Sequence, residues 1–237
     1  MMLVQASIIA FALIILPLGV LARRGLLISQ PWTLLAYFAG LGLGFIMIEI
    51  VFIQRFLLFL GEPVYTFAVV LAGLLGFTGI GSWTVGHLNS NHRVLLMYIF
   101  PAILLVLLVT AIASPWIFTS ALGLPMRWRI VIVVTMLAPL GTFLGMPFPI
   151  GLRIVAKEAP PFIPWAWGVN GFFTVVGSIA ASILGMAFGF TAVLAVSGAC
   201  YLIALLAMTV GRRPPIGRET TVGTDFDGLT GRPRPTG

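Results

Sequence analysis

Charge is scarce in this sequence. Only 8% of the 237 residues are charged, whereas 60% are hydrophobic. Soluble domains carry about 25% charged residues, and a soluble fold with so few would expose large apolar patches and aggregate. The scarcity therefore excludes an ordinary soluble domain. It predicts an all-α fold, a polytopic bundle of transmembrane helices.

Cysteine is nearly absent, and no catalytic motif is found. The single cysteine, Cys200, excludes an intrachain disulfide and a cysteine-based zinc site. His87 and His92 flank a short loop with no acid or cysteine nearby, which is a weak metal pattern. The sequence contains no P-loop, dinucleotide-binding, zinc-protease or hydrolase signature. We therefore expect no catalytic residue, no metal and no cofactor, and the sequence favours a protein that is not an enzyme.

The net charge of +7 does not indicate nucleic acid as a partner. The basic residues flank long apolar runs and form no surface interleaved with aromatic residues. A bias of Lys and Arg toward cytoplasmic loops explains them more simply. The predicted partner is the lipid bilayer, and nucleic acid is excluded.

A helix needs about 20 apolar residues to cross the hydrocarbon core. Seven segments meet this requirement within a transmembrane domain at 1–211: 3–22, 33–59, 64–85, 94–114, 129–150, 165–186 and 190–210. Residues 212–237 are rich in Pro, Gly, Thr and Arg and cannot bury enough apolar surface to order themselves. They are predicted to form a disordered cytoplasmic tail.

The orientation follows from the basic residues near the span ends. We expect a multi-pass protein of the cell inner (plasma) membrane with its N-terminus outside and its C-terminus cytoplasmic. That arrangement puts three basic residues in the outside loops, namely Arg55, Arg127 and Arg129. It puts eight inside: Arg23, Arg24, Arg93, Arg153, Lys157, Arg212, Arg213 and Arg218.

Glu49 lies within the longest apolar segment, shortly before Gln54 and Arg55. A carboxylate inside a bilayer costs several kcal/mol, so we expect Glu49 to face protein and to find a polar partner. Arg55 lies about 240° around a continuous helix, so a direct pair needs a helix break. The other candidates are Asn170 and an arginine of the 145–153 segment. The site is either a proton or cation coupling site or a structural clamp between helices.

The segment GMPFPIGLR, residues 145–153, carries Pro147 and Pro149 and ends at Arg153. Each proline removes a backbone donor and blocks a continuing helix. The prolines predict a break at this point. Broken helices mark binding sites in many transporters, but a plain helix end accounts for the pattern equally well.

Small residues indicate close helix packing. Gly44 and Gly171 are candidate packing positions, and the helix that contains Gly171 carries a weakly polar stripe every four residues: Asn170, Thr174, Ser178 and Ser182. Such stripes permit close approach and interhelical hydrogen bonds, and packing is favoured over a substrate path.

A weak internal repeat is visible. Ten positions separate Phe45 from Arg55 and also Phe143 from Arg153, and the helix after each carries Gly-Ser, at 81–82 and at 177–178. The two units are about three helices apart, so they would lie in opposite orientations. The pattern indicates a 3+3 inverted repeat after the first helix.

The segment that begins GFIMIEIVFIQRFLLFLGEPVYTF, followed by MPFPIGLR and PWAWGVNGFFTVVGS, resembles the C-terminal membrane region of bacterial spermidine-synthase-like polytopic proteins. The resemblance covers roughly residues 33–205. The residues that carry it are Glu49, Gln54, Arg55, Pro147, Pro149, Arg153, Trp165, Trp167, Asn170 and Gly171.

In that family a soluble domain similar to aminopropyltransferases and methyltransferases sits beside the membrane helices. This chain has no counterpart of that domain, so transfer chemistry is not carried over. The resemblance implies a membrane module that serves or anchors a separate soluble partner of this kind, or that associates with itself. The chain is then either a stand-alone module or one product of a split or truncated gene. The alternative is a small secondary transporter, or half of one, that uses Glu49 for coupling.

Overall fold

The protein is helical throughout the described residues, 2–28, 30–88 and 92–210, of a computed structural model, and no strand occurs among them. A π-helical segment, Phe11–Ile15, joins α1 to α2, and short 3-10 helices lie at Arg23–Leu27 and Pro160–Phe162. The predicted tail, 212–237, lies outside the described residues. The α-helices are Met2–Ala10 (α1), Leu16–Leu21 (α2), Pro31–Leu60 (α3), Pro63–His87 (α4), His92–Ala121 (α5), Met126–Leu144 (α6), Pro147–Glu158 (α7), Ile163–Phe188 (α8) and Phe190–Val210 (α9).

Seven stretches of the described chain are long and apolar enough to cross a membrane, which confirms the polytopic all-α prediction. They are Leu3–Leu21, Pro31–Leu60, Pro63–His87, Val94–Ala121, Met126–Glu158, Pro160–Phe188 and Phe190–Thr209. The fifth differs most from its predicted bounds, 129–150, because it includes both α6 and α7.

Proline and glycine set the ends of α3 as the sequence predicts. Pro31 is the first residue of the helix, and Gly61 ends it with a φ of 80°, a left-handed conformation that glycine adopts without strain. Pro63 then begins α4. Between these ends α3 runs for 30 residues without interruption, about 45 Å at 1.5 Å per residue. The break in α3 that a direct Glu49–Arg55 pair requires is therefore absent.

Helix α3 is the centre of the bundle. Half of its most apolar stretch is buried, against 6% for the first span, which packs at the periphery. Small residues let the neighbouring backbones approach α3. Gly40 meets the Cys200 carbonyl of α9, Gly44 meets the Tyr201 ring, and Gly42 meets the Asn170 backbone of α8. Gly44 therefore lies at a close contact between α3 and α9.

A second close crossing joins α4 to α6. Gly81 of α4 lies against the backbone of Thr142, and Gly145, just after α6, lies against the backbone of Thr78. Any Cβ at these glycines would overlap main-chain atoms. The α4–α6 pair is therefore held at a distance that only glycine permits.

One end of the bundle collects residues that are far apart in sequence. The Trp165 indole Nε1 donates to the Ala22 carbonyl at 2.8 Å, and Arg153 Nη1 donates to the Val85 carbonyl at 2.9 Å. The 3-10 helix Arg23–Leu27, the last turn of α4 and helix α7 consequently lie at one end.

The opposite end holds the start of α6 and the last turn of α3. Arg129 Nη1 donates to the Phe59 carbonyl at 3.2 Å, and Arg129 Nε donates to the Leu124 carbonyl at 2.9 Å. The guanidinium also lies 5.9 Å from the centroid of the Phe59 ring. Arg129 therefore lies at the opposite end of the bundle from Arg153.

Candidate functional site

Glu49 does not meet any of the partners that the sequence suggested. Glu49 is partly buried near the middle of α3, and it makes no hydrogen bond or ion pair with the described part of the chain. The expectation of a contact with Arg55, Asn170 or Arg153 is wrong for this arrangement. The physical reason is that each of these three side chains donates its hydrogen bonds to groups on other helices.

Arg55 binds hydroxyl groups instead of a carboxylate. Its Nη1 donates to the Ser114 hydroxyl at 3.1 Å, and its Nη2 donates to the Thr191 hydroxyl at 3.2 Å. Because Ser114 is on α5 and Thr191 is on α9, the guanidinium ties three helices together. Gln54 is exposed and makes no hydrogen bond within the described residues.

The predicted break at the two prolines is present. Helix α6 ends at Leu144 and α7 begins at Pro147. The buried Tyr37 hydroxyl of α3 donates to the Pro147 carbonyl at 2.6 Å, while Arg153 anchors the far end of the segment on Val85. The break is therefore fixed at both ends by contacts to α3 and α4.

The prolines leave the backbone at the break only partly bonded. The Phe143 carbonyl, which loses Pro147 as its donor, accepts from the Met146 N–H at 3.2 Å. Pro149 has no N–H, so the Gly145 carbonyl has no donor four residues on. Inside a bilayer such a carbonyl needs another donor from protein, water or ligand.

A cavity of about 340 Å³ lies at this break, where α3, α4, α8 and α9 meet. Gly145 and Pro149 form part of its wall, and Phe45 and Gly42 of α3 form another part. Its polar lining consists of Thr78, Ser82, Asn170, Thr174 and Tyr201. Among the described residues, no charged side chain lines it, so the cavity is neutral and largely apolar.

Three polar residues of the lining already use a hydrogen-bond donor within the protein. Thr78 and Thr174 donate their hydroxyl hydrogens to their own helices, at 3.0 Å to the Leu75 carbonyl and at 2.9 Å to the Asn170 carbonyl. Asn170 Nδ2 donates to the Phe38 carbonyl at 3.3 Å. Each of these residues therefore keeps an oxygen that can accept a hydrogen bond.

Two hydroxyl groups of the lining are without a partner. Neither Ser82 nor Tyr201 makes a hydrogen bond with any described residue. Tyr201 is only 1% exposed, so its hydroxyl is a buried polar group that the described protein leaves unsatisfied. Buried polar groups nearly always have a partner, which makes this hydroxyl a candidate contact for a ligand or an ordered water.

The stripe predicted on α8 divides between two environments. Asn170 and Thr174 line the central cavity, whereas Ser178 and Ser182 line a groove between α8 and the peripheral first span. Gly177, beside the stripe, packs closely against α3. The packing role predicted for Gly171 is wrong, because a Cβ at that position would have no neighbour within 4 Å.

The sequence reasoning missed Thr78, Ser82 and Tyr201. A signal for the first two was present, because the segment FTGIGS at 77–82 and the segment FTVVGS at 173–178 share the pattern F-T-x-x-G-S. Comparing only the Gly-Ser pairs left the equivalent threonines unnoticed. A single tyrosine in an apolar helix gives no comparable signal for Tyr201.

The basic end carries a separate electrostatic feature. His92 lies just before the span that begins at Val94. Partial burial lowers the pKa of His92 below its ordinary value, and the positive charges of Lys157 and Arg153 lower it further. The imidazole at this end is therefore biased toward its neutral form.

No protein-family model matches the chain, and no curated protein or solved structure is similar enough to count as a match. The resemblance to the membrane region of spermidine-synthase-like proteins therefore stays a prediction. What the geometry itself presents is a neutral cavity at a helix break, which can bind a small molecule but brings together no acid–base or nucleophile–base pair among its lining residues.

Proposed function

We propose that this chain is an integral membrane module of the secondary-transporter type that binds a small solute in the cavity beside the α6–α7 break. The observation that carries the proposal is the position of the cavity. It lies against interrupted backbone, at Gly145 and Pro149, and beside α3. Discontinuous helices build the solute sites of many transporters because their free backbone groups face a cavity instead of lipid.

Glu49 is the proposed coupling residue of this carrier. It lies one helical turn beyond Phe45, which lines the cavity, and therefore on the same face of α3. It has no hydrogen-bonding partner among the described residues, so a proton or cation can be exchanged there without breaking a protein contact. An ionisable group inside a membrane is a functional candidate for this reason.

The proposed orientation has the N-terminus outside and the C-terminus in the cytoplasm of the cell inner membrane. Arg23, Arg24 and Lys157 are exposed at one end of the bundle, with Arg153 close by. Basic residues accumulate on the cytoplasmic side of membrane proteins, which supports placing this end inside.

Accessibility of the cavity from both sides of the membrane tests the carrier proposal. A Ser82→Cys variant in a Cys200→Ala background is reconstituted in sealed, oriented liposomes and treated with a membrane-impermeant methanethiosulfonate from either side. We expect reaction from both sides, because a carrier exposes its site alternately. Thr135→Cys, at an exposed position on the outer face of α6, is the matched control and should stay unreactive in lipid. Reaction of Ser82→Cys from one side only, or from neither, contradicts the proposal.

The coupling role has its own readout in the same liposomes. A pH gradient should shift the ratio of outside to inside labelling of Ser82→Cys, and Glu49→Gln should abolish that shift. Glu62→Gln, which removes an exposed carboxylate at the start of α4, should leave it unchanged. An unaltered shift in Glu49→Gln means that Glu49 is not the coupling group.

A second proposal follows from the resemblance, in which the membrane module anchors a separate soluble spermidine-synthase-like partner. The exposed basic end, with Arg24 and Lys157, offers a surface for an acidic partner domain. Purification from native membranes should recover a soluble protein with an aminopropyltransferase-like domain. The Arg24→Glu/Lys157→Glu variant should lose it, while Arg127→Glu at the opposite end should retain it. Absence of such a protein from the parent sample refutes this proposal.

A further inference from the structure

Two helices of the bundle carry the same six-residue pattern. F-T-x-x-G-S occurs at 77–82 in α4 and again at 173–178 in α8. Each of these helices follows a longer segment that contains the matched Phe-to-Arg interval, Phe45–Arg55 in α3 and Phe143–Arg153 in α6–α7. The motif is therefore the second element of each repeat unit.

Each motif glycine packs on the first helix of the other unit. Gly81 packs on Thr142 of α6, next to Phe143, and Gly177 packs on Leu43 and Ile46 of α3, on either side of Phe45. Each motif helix thus contacts the first helix of the other unit next to the matched phenylalanine. An exchange of this kind is what a pseudo-two-fold axis between inverted repeats produces.

The motif threonines meet at the cavity. Thr78 and Thr174 both line it, and both hydroxyl groups bond a carbonyl of their own helix, at 3.0 Å and 2.9 Å. The two threonines therefore present acceptor oxygens, while the unpartnered Ser82 and Tyr201 hydroxyl groups are free to donate.

We propose that Thr78 and Thr174, the threonines of the two motifs, lie on the two sides of one site for an uncharged solute with an alcohol or amide group and an apolar body. This inference rests on the proposed function and adds the chemical class of the solute. The described lining contains hydroxyl groups, one amide and apolar side chains but no charge. An ion would lose its hydration in this cavity without gaining a counter-charge, whereas an alcohol finds hydrogen-bond donors and acceptors in the lining.

Three probes of similar shape test the class of solute. Binding of 2-phenylethanol, 2-phenylethylammonium and phenylacetate to the full-length protein in nanodiscs is measured by equilibrium dialysis, with empty nanodiscs subtracted. We expect the alcohol to bind at least about tenfold more tightly than either ion. Equal or tighter binding of either ion, or no binding of the alcohol, overturns the inference.

Two matched substitutions test the symmetry of the site. Thr78→Val and Thr174→Val should each weaken alcohol binding about threefold to tenfold, since each removes one acceptor. Thr78→Ser and Thr174→Ser keep the hydroxyl group and should retain binding. They therefore distinguish loss of the hydroxyl group from a general effect on the fold. Thr135→Val, which removes an identical helix-bonded hydroxyl away from the cavity, should have no effect. A loss at only one threonine, or an equal loss at Thr135, contradicts the two-fold site.

The two proposals fail in different ways. Two-sided labelling of Ser82→Cys without alcohol binding preserves the carrier and refutes the neutral solute. Alcohol binding that depends on both threonines, with labelling from one side only, supports the site and refutes the carrier.

Discussion

The α4–α6 crossing gives the sharpest prediction, which is that Gly81→Ala destabilises the protein while Gly76→Ala on the same helix does not. A Cβ at Gly81 would lie 2.9 Å from the Thr142 carbonyl carbon and 3.3 Å from its Cα. These are main-chain atoms in a helix and cannot rotate away. A Cβ at Gly76 would have no neighbour within 4 Å.

The magnitude follows from two opposing effects. Alanine is favoured over glycine inside a helix by up to about 1 kcal/mol, and this gain applies to both positions. Overpacking of a closely packed contact costs about 1–3 kcal/mol, and it applies to Gly81 alone. We therefore expect Gly81→Ala to be less stable than Gly76→Ala by about 1–3 kcal/mol.

Gly177 provides an internal calibration. Its added Cβ would lie 2.6 Å from Ile46 Cγ2 and 3.1 Å from a Leu43 methyl group, which are side-chain atoms, and 3.4 Å from Leu43 Cα, an ordinary contact distance. Gly177→Ala should therefore fall between the other two variants. Reversible unfolding in mixed micelles, followed by far-UV circular dichroism, measures all three. Equal stability of Gly81→Ala and Gly76→Ala would refute the close backbone contact on which the cavity geometry depends.

Three further changes test separate contacts. Tyr37→Phe removes the buried hydrogen bond to the Pro147 carbonyl and should lower the free energy of unfolding by about 0.5–1.5 kcal/mol in the same assay; an unchanged value would show that the break is held by other contacts. Lys157→Met removes a positive charge and should raise the pKa of His92, which NMR titration of the protein's two histidines measures. A fall in that pKa would be inconsistent with the proximity of Lys157 to His92. Glu49→Gln breaks no contact within the described chain and should change stability by less than about 0.5 kcal/mol, whereas a large loss would reveal a partner.

The spans were predictable because hydropathy and length are local properties. The ends of α3 at Pro31 and Gly61 and the break before Pro147 follow from the missing N–H of proline and the left-handed conformation open to glycine. The length of the Met126–Glu158 span was not predictable from the sequence. Whether a second helix follows a proline break depends on the helices that pack against the break.

The candidate site was harder to predict than the helices. A helical wheel correctly separates Glu49 from Arg55, but it cannot show that Arg55 reaches Ser114 and Thr191 on two other helices. Charge draws attention to Glu49, although the cavity is lined by weakly polar groups such as Ser82. Hydroxyl groups are common in membrane helices and carry little signal individually, so only their recurrence in a repeated motif distinguishes them.

The proposed inverted repeat accounts for the position of the cavity. Gly81 lets α4 pack against α6, and Gly177 lets α8 pack against α3. The first helix of each unit, α3 or α6, therefore contacts the second helix of the other unit. The two units differ at the sixth residue after the matched phenylalanine. Helix α3 continues through Val51 at this position, whereas the second unit has Pro149. One first helix is whole and the other is broken, so the two units cannot pack identically at this position. The unfilled space lies beside the broken helix, where the carbonyl of Gly145 lacks its donor and both motif threonines are within the same lining.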